Sequence, residues 1–247
     1  MARHVAQAQL FGRELALWRD DTGAINAWEN RCPHRGVRLS IGINTGVELR
    51  CRYHAWRFAS GSGQCTFIPA HPSQKPASSV HARSFAVVER CHLVWVNLEP
   101  VGAGVTPGAP SANAPDTLSG ASAPAASDTT LRSIFVNAPV TGVANALLEG
   151  YSVDGSSKAA VEMIDEFTLT TGRGDTQRNE EEPATPAVAR NASLRTITFL
   201  LQPVSSTQSI IHGLLSESPG TDWLSVLAFH NSQLSALRDR VEAKYAP

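Results

Sequence analysis

Apolar and polar residues alternate in short runs over the first hundred residues, a pattern typical of β-strands. Two such runs, at residues 14–18 and 25–28, flank the turn residues 20–23 (Asp-Asp-Thr-Gly), which predicts a hairpin. Further runs at 85–88 and 93–96 predict a second strand pair. Residues 1–100 are therefore expected to form an antiparallel β domain.

The composition changes abruptly between residues 101 and 130. Twenty of these 30 residues are Ala, Pro, Ser or Gly, and the segment contains no aromatic residue and no Lys or Arg. Because such a segment has little apolar surface to bury, it predicts a linker or a disordered loop.

The region after residue 130 mixes helical and strand patterns and predicts a small α+β domain over 131–247. We predict helices at 140–148 and 234–245 and strands at 167–170, 196–201 and 209–215, with a polar loop at 172–190. The whole chain is thus expected to be α+β, with a β domain followed by an α+β domain.

Composition excludes some classes of function. The 247 residues carry a formal net charge of −1, which gives no indication of a nucleic-acid surface. No apolar run approaches the ~20 residues of a membrane span, and residues 1–7 lack the apolar core of a signal peptide. We therefore expect a cytoplasmic protein without membrane segments.

Two short motifs carry the chemistry. Cys32-Pro33-His34-Arg35-Gly36 and Cys51-Arg52-Tyr53-His54-Ala55-Trp56 each offer one thiol and one imidazole, with sixteen residues between His34 and Cys51. Two Cys and two His are the ligands of a Rieske [2Fe–2S] cluster, in which the two His replace two Cys on one iron. The motifs therefore predict Cys32 and Cys51 on one iron and His34 and His54 on the other.

Neighbouring residues are expected to shape this site. Gly36 permits a sharp loop path, and Pro33 stiffens it. Tyr53 is a candidate hydrogen-bond donor to a cluster sulfur, which would tune the reduction potential. Plain packing is the alternative role of Tyr53 and Trp56.

The rival interpretation of two Cys and two His is a zinc site. Zinc sites usually combine Cys-x₂₋₄-Cys with His-x₃₋₅-His, and the mixed Cys-x-His and Cys-x-x-His spacing does not fit them. The remaining cysteines, Cys65 and Cys91, are expected to be reduced packing residues.

The first hundred residues resemble the Rieske domain of the Rieske non-heme iron oxygenases, a family of ring-hydroxylating dioxygenases and demethylases. The cluster motifs carry this resemblance, together with Leu17-Trp18-Arg19-Asp20, Leu39-Ser40, Ile68-Pro69-Ala70 and Leu93-Val94-Trp95-Val96. The family more often has Gly where this chain has Ala55. The resemblance implies one [2Fe–2S] cluster and a reductase or ferredoxin as electron donor.

Family oxygenases add a catalytic domain that holds one mononuclear Fe(II) through two His and a carboxylate. Their local pattern is an acidic residue, then His after two residues and His after four more. The best match here starts at Glu149, which fits the acid that bridges two subunits, but both His positions are serines, Ser152 and Ser157. The resemblance therefore implies a degenerate iron site, since a serine hydroxyl is a poor ligand for Fe(II).

Three hypotheses follow. The first is an electron-transfer component, an α-like subunit that passes electrons to a complete oxygenase subunit in a trimer or hetero-oligomer. The second is an oxygenase that holds iron through other residues, for which His212, His230 and Asp239 are the candidates. The third is a structural or regulatory subunit whose cluster only stabilises the fold.

Overall fold

The computed structural model describes residues 3–90, 92–100, 129–153, 158–171, 196–216 and 223–246. Cys91, Ser157 and the predicted polar loop at 172–190 lie outside these residues, as do residues 101–128 of the predicted linker. The chain divides into two compact units, Met1–Ala121 and Ser122–Pro247. In the part of the chain that is described, no helix is long and apolar enough to cross a membrane.

The first unit contains two antiparallel sheets. Its strands are β1 (Val5–Leu10), β2 (Arg13–Arg19), β3 (Ile25–Glu29), β4 (Ile43–Asn44), β5 (Glu48–Arg50), β6 (Arg57–Ala59), β7 (Cys65–Phe67), β8 (Ser84–Arg90) and β9 (Leu93–Pro100). The larger sheet has the order β1-β2-β3-β8-β9, and the smaller one has the order β4-β5-β6-β7. Both predicted hairpins, β2–β3 and β8–β9, are confirmed.

The core of the first unit reaches the motif cysteines. Trp28, Leu49 and Phe58 are fully buried, and Cys32 and Cys51 belong to the same buried cluster. The two thiols are therefore held by the packed interior of the domain, although the segments that carry them are loops.

A hydrogen-bond network around Asp20 joins the turn after β2 to the turn after β6. The Asp20 carboxylate accepts a hydrogen bond from the Ser60 hydroxyl (2.6 Å), which also accepts one from the Asn26 amide (2.9 Å). Burial alone would raise the pKa of Asp20, but the hydrogen bonds from Ser60 and Thr22 bring that pKa below its ordinary value. The network fixes the two turns relative to each other.

The described residues of the second unit form a six-stranded antiparallel sheet, a short separate strand pair and two helices. Its elements are β10 (Thr129–Thr130), β11 (Ile134–Val136), α1 (Val140–Leu148), β12 (Tyr151–Ser152), β13 (Lys158–Ala159), β14 (Val161–Asp165), β15 (Thr168–Thr171), β16 (Ile197–Ser205), β17 (Gln208–Leu215) and α2 (Trp223–Tyr245). The sheet order is β10-β17-β16-β15-β14, and β11 also pairs with β17. The predicted helix at 140–148 and the strands near 167, 196 and 209 are confirmed. Because β10 pairs with β17, this sheet begins inside the predicted linker.

The last helix is longer than predicted. α2 begins at Trp223, whereas the sequence pattern predicted a start at residue 234. Residues 230, 234, 237 and 241 share one face by their spacing and are all buried, but the first of them is His230. A polar residue at a buried position interrupted the apolar period, so the prediction missed the first eleven residues.

Candidate iron–sulfur site

The two cluster loops, residues 32–37 and 51–56, have the same backbone hydrogen-bond pattern. In the first loop, the Cys32 N–H donates to the Val37 carbonyl and the Gly36 N–H donates to the Cys32 carbonyl, both at 2.8 Å. In the second, the Cys51 N–H donates to the Trp56 carbonyl (2.9 Å) and the Ala55 N–H donates to the Cys51 carbonyl (3.1 Å). Each loop thus turns back on its own cysteine.

Both loops need a left-handed residue at the fourth position after the cysteine. Gly36 has φ +71° and Ala55 has φ +57°. Glycine adopts this conformation without steric cost, whereas an L-residue with a Cβ atom pays about 1–2 kcal/mol. Ala55 therefore stores strain in the second loop at the position where the resembling family more often has Gly.

The cysteines approach each other inside the domain. Cys32 and Cys51 are 4% and 2% exposed and belong to the same buried cluster. The pKa of the Cys32 thiol is raised to about 11, mainly by burial and in addition by the neighbouring Cys51. Two neighbouring buried thiols are poor places for negative charge, so a metal ion is the natural partner that would stabilise their thiolate forms.

The imidazoles come together toward the surface. The ring centroids of His34 and His54 lie 4.7 Å apart, and His54 is exposed. The pKa of His34 is lowered, first by burial and then by the nearby His54 and Arg35. A neutral imidazole has a free lone pair, which is the form that binds a metal.

An aromatic ring lies against each imidazole. Trp56 stacks on His34 across the two loops, with ring centroids 4.3 Å apart and planes 8° from parallel. Tyr53 lies against His54 at 3.8 Å and is 59% exposed. Both aromatic residues thus pack on the histidines, and the predicted hydrogen bond from Tyr53 to a sulfur stays a prediction.

The four side chains pair by type, thiol with thiol and imidazole with imidazole. A Cys₂His₂ zinc site needs all four ligands around a single ion. A Rieske cluster instead needs two ligands at each of two irons, and this donor set fits it.

The residues predicted to form a degenerate iron site belong to the second unit. Glu149 follows the last residue of α1, and its carboxylate accepts a hydrogen bond from the Lys244 ammonium at 3.2 Å. Ser152 is on β12 and pairs with Lys158. The position of Ser157 is not described, so the structure places only one of the two serines.

The three candidate ligands of the second hypothesis each contact other side chains of the second unit. His212 lies 2.8 Å from the Ser133 hydroxyl and 3.0 Å from the Gln202 side chain, and burial lowers its pKa. His230 is fully buried beside Tyr151, whose hydroxyl is 3.2 Å from Nδ1. Asp239 is exposed and forms an ion pair with Arg238 (2.7 Å).

Sequence reasoning missed two features of these sites. Tyr151 and His230 form a buried polar pair 79 residues apart, which no local pattern indicates. The arginines of the cluster loops were also overlooked, although a count of charge in residues 31–38 and 50–57 would have found them.

Comparison with known proteins identifies the first unit. Residues 2–91 match the family described as the Rieske [2Fe-2S] domain. The oxidoreductase NdmD of Pseudomonas putida is 35% identical over 243 residues, which make up 98% of this chain and 38% of that protein. The oxygenase component of dicamba O-demethylase from Stenotrophomonas maltophilia is 44% identical over 82 residues, which make up 33% of this chain and 24% of that protein. The chain thus spans less than two-fifths of the length of either relative.

Solved structures extend the likeness to the second unit. NdmA of Pseudomonas putida CBB5 matches with a TM-score of 0.67 and 15% identity, over 99% of this chain and 76% of that chain. Dicamba monooxygenase matches with a TM-score of 0.59 and 21% identity, over 92% of this chain and 75% of that chain. At such identities the likeness shows the fold alone.

The first unit is a Rieske [2Fe–2S] domain, and the chain is therefore an iron–sulfur protein. Beyond that domain, the chain has relatives and structural neighbours among the Rieske non-heme iron oxygenases, and its second unit shares their fold.

Proposed function

We propose that this protein is a one-electron transfer component of a Rieske oxygenase system. Cys32 and Cys51 hold one iron of its cluster, and His34 and His54 hold the other. When bound, a Rieske cluster accepts and releases single electrons at about −150 to +300 mV. The pairing of two buried thiols and two outward imidazoles on equivalent loops is the observation that carries the proposal.

The residues around the proposed cluster have different roles. The buried cysteines keep water away from the thiolates, and the stacked Trp56 fixes the plane of His34. The exposed His54 is the side chain through which an electron enters or leaves, because it is the ligand nearest to solvent. The chain therefore supplies both an insulated interior and an outward contact.

We further propose that the second unit does not hold its own mononuclear iron. Ser152 and Ser157 stand where the resembling family has histidines, and hydroxyls are poor ligands for Fe(II). The likeness to NdmD extends over both units, so this combination is related to part of a longer oxidoreductase. Several relatives are named as components of multi-protein systems, which supports a complete oxygenase subunit as the acceptor.

Glu149 is the proposed contact to that acceptor subunit. Its carboxylate is exposed and accepts a hydrogen bond from Lys244, while its remaining lone pairs stay accessible to another subunit. In a trimer or hetero-oligomer it would accept a hydrogen bond from a cluster histidine of the neighbouring subunit, most simply one equivalent to His54. A reductase or ferredoxin is the proposed electron donor.

Iron and acid-labile sulfide per chain, measured on anaerobically purified protein, test the proposal directly. We expect two iron and two sulfide with a Rieske-type EPR signal after reduction. Cys51→Ser should abolish the signal, whereas Cys65→Ser should keep it, because Cys65 is equally buried but lies outside the loops. A third iron without sulfide would contradict the proposal and favour an oxygenase.

The structural alternative makes a different prediction. If the cluster only stabilises the fold, a His54→Ala variant that still folds would leave turnover by the partner oxygenase unchanged. We expect turnover to be lost instead, because no electron reaches the partner.

Glu149→Gln and Glu149→Ala test the bridging role. The glutamine variant removes the charge but keeps a hydrogen-bond acceptor, so it should slow electron transfer to the partner less than the alanine variant. Unchanged assembly and unchanged transfer in both variants would exclude Glu149 from the interface.

A further inference from the structure

A serine, a histidine and a glutamine from three neighbouring strand segments meet on one face of the sheet in the second unit. His212 lies on β17, which pairs with β11 and with β16. Ser133 directly precedes β11, and the register of that strand pair places it opposite His212. Gln202 lies on β16, diagonal to His212. Because opposite and diagonal residues of paired strands share one face, the three side chains can meet.

Their hydrogen bonds fix the tautomer of the imidazole. The Gln202 carbonyl oxygen lies 3.0 Å from Nε2 of His212, and because this oxygen can only accept, Nε2 carries the hydrogen. In the neutral ring Nδ1 is then an acceptor, so it accepts a hydrogen bond from the Ser133 hydroxyl at 2.8 Å. The proton of Ser133 therefore already points at a base.

The surroundings combine a shielded base with an accessible hydroxyl. Ser133 is exposed, whereas His212 is half-buried. Leu200, which lies opposite His212 on β16, is 4% exposed. Burial lowers the pKa of His212 below its ordinary value, so the ring is neutral near pH 7. A small molecule can thus reach the serine while the histidine keeps its proton-accepting form.

An apolar surface lies beside the serine. Phe135 follows Ser133 by two residues, shares its face of the sheet and is 44% exposed. It pairs across the strands with the partly exposed Ile210. These two side chains offer a contact for the apolar part of a small molecule whose polar group reaches Ser133.

We infer that Ser133 and His212 form a second catalytic site, which hydrolyses small carboxylic esters through an acyl-serine intermediate. Gln202 is its positioning residue. A nucleophile, a base within hydrogen-bond reach and a third group that orients the base are the structural signature of such sites. The ring is turned round relative to a Ser-His-Asp triad, since Nδ1 faces the serine, but the three roles are the same. This site does not depend on the proposed electron-transfer function.

The reaction balances with water as the only co-substrate. The Ser133 oxygen bonds to the ester carbonyl carbon while its proton moves to Nδ1 of His212. The bond to the alcohol oxygen then breaks, and the alcohol leaves with that proton. Water adds to the acyl carbon in the same way, and its proton passes through Nδ1 back to the Ser133 oxygen as the acid is released. Nothing is oxidised or reduced.

Two probes test the site on the full chain near pH 8. Stopped-flow absorbance measures acylation by p-nitrophenyl butyrate, and a fluorophosphonate labels activated serines covalently. Peptide mass spectrometry locates both modifications, and we expect both on Ser133. Ser133→Ala should abolish the label, and His212→Gln should lower the acylation rate at least about 100-fold, as the loss of a general base does.

Gln202→Glu separates a catalytic arrangement from a purely structural hydrogen bond. A carboxylate accepts the same hydrogen from Nε2 of His212 and also stabilises the imidazolium that forms when Nδ1 takes the proton. We expect acylation to become about threefold to tenfold faster, since a charge-assisted hydrogen bond is roughly twice as strong as a neutral one. Gln202→Met, which has no comparable acceptor, should react more slowly than wild type. A Gln202→Glu variant no faster than wild type would overturn the inference.

Ser225→Ala and His71→Gln are the matched controls. Both residues are exposed, Ser225 on α2 and His71 in the first unit. Surface imidazoles react slowly with nitrophenyl esters by themselves, so His71→Gln measures that background. We expect both controls to match the wild type.

Labelling of the wild type needs no variant to fold, so it decides the question even where a substitution destabilises the sheet. A wild-type protein without modification on Ser133 would overturn the inference. Unchanged acylation in folded Ser133→Ala or His212→Gln would do the same and leave a structural hydrogen bond only. Chemical denaturation shows which variants are folded.

Discussion

The indole of Trp56 stacks on the imidazole of His34 at 4.3 Å, so that one cluster loop covers a candidate ligand of the other. The two planes are nearly parallel, and Trp56 is partly buried against the core of the first unit. Because Trp56 is packed against the core, its contact restricts the orientation of the His34 ring near the surface.

Trp56→Leu should expose His34 to water and raise the reduction potential of the cluster. Reduction adds a negative charge, which water stabilises better than an indole ring does. We expect a rise on the order of tens of millivolts in a protein-film or EPR-monitored titration. Trp56→Phe should shift the potential less, and Trp95→Leu, on β9, should not shift it. A lower potential in Trp56→Leu would contradict this explanation.

Substitutions at the equivalent positions Gly36 and Ala55 should change the free energy of unfolding in opposite directions. Ala55→Gly removes the left-handed strain at φ +57° and should raise the free energy of unfolding by up to about 1 kcal/mol. Gly36→Ala introduces the same strain at φ +71°, and because its Cβ would meet no atom within 4 Å, the loss should be conformational only, about 1–2 kcal/mol. Chemical denaturation of the two variants measures both changes. Changes of the same sign would show that the two loops are not equivalent.

Tyr151 should make the second unit sensitive to alkaline pH. Burial raises its pKa above the ordinary value of 10, so the unfolded chain releases this proton first as pH rises. Its contribution to stability is complete below about pH 10 and is lost progressively above it. Tyr151→Phe should lose about 1 kcal/mol near pH 8 with the hydrogen bond to His230, yet decline less steeply above pH 10. Parallel pH curves would exclude this role, and Tyr245→Phe, at an exposed position, is the control.

Asp20 should make the first unit sensitive to acid. Its pKa is below the ordinary value in the folded protein, so the stabilisation is present above the unfolded pKa of about 3.8 and is lost as pH falls through the folded pKa. Asp20→Asn should lower the free energy of unfolding at pH 7 by roughly 1–3 kcal/mol, because the amide replaces one acceptor by a donor. The neighbouring Asp21→Asn should cost little, since Asp21 is exposed in a surface ion pair with Arg3. Equal losses in both variants would argue against the network.

The sequence by itself determined the chemistry of the first unit. A Rieske motif is local, because each loop contributes its cysteine and histidine within four residues. The spacing can therefore be recognised in the sequence without knowledge of the fold. The strand pairs and the helix at 140–148 were also predictable, because apolar periodicity is a local signal.

Tertiary structure alone decided the contacts between distant residues. The stacking of Trp56 on His34 and the ion pair between Lys244 and Glu149 each join segments that no local sequence pattern relates. The first half of α2 was not predicted, because the buried polar residue His230 breaks the apolar pattern. Its partner Tyr151 lies 79 residues away in the sequence, so only the folded chain shows how a polar group at that position is satisfied. Likewise, only the folded chain shows that Arg38 and Arg57, which flank the cluster loops, have carboxylate partners in Glu14 and Glu48.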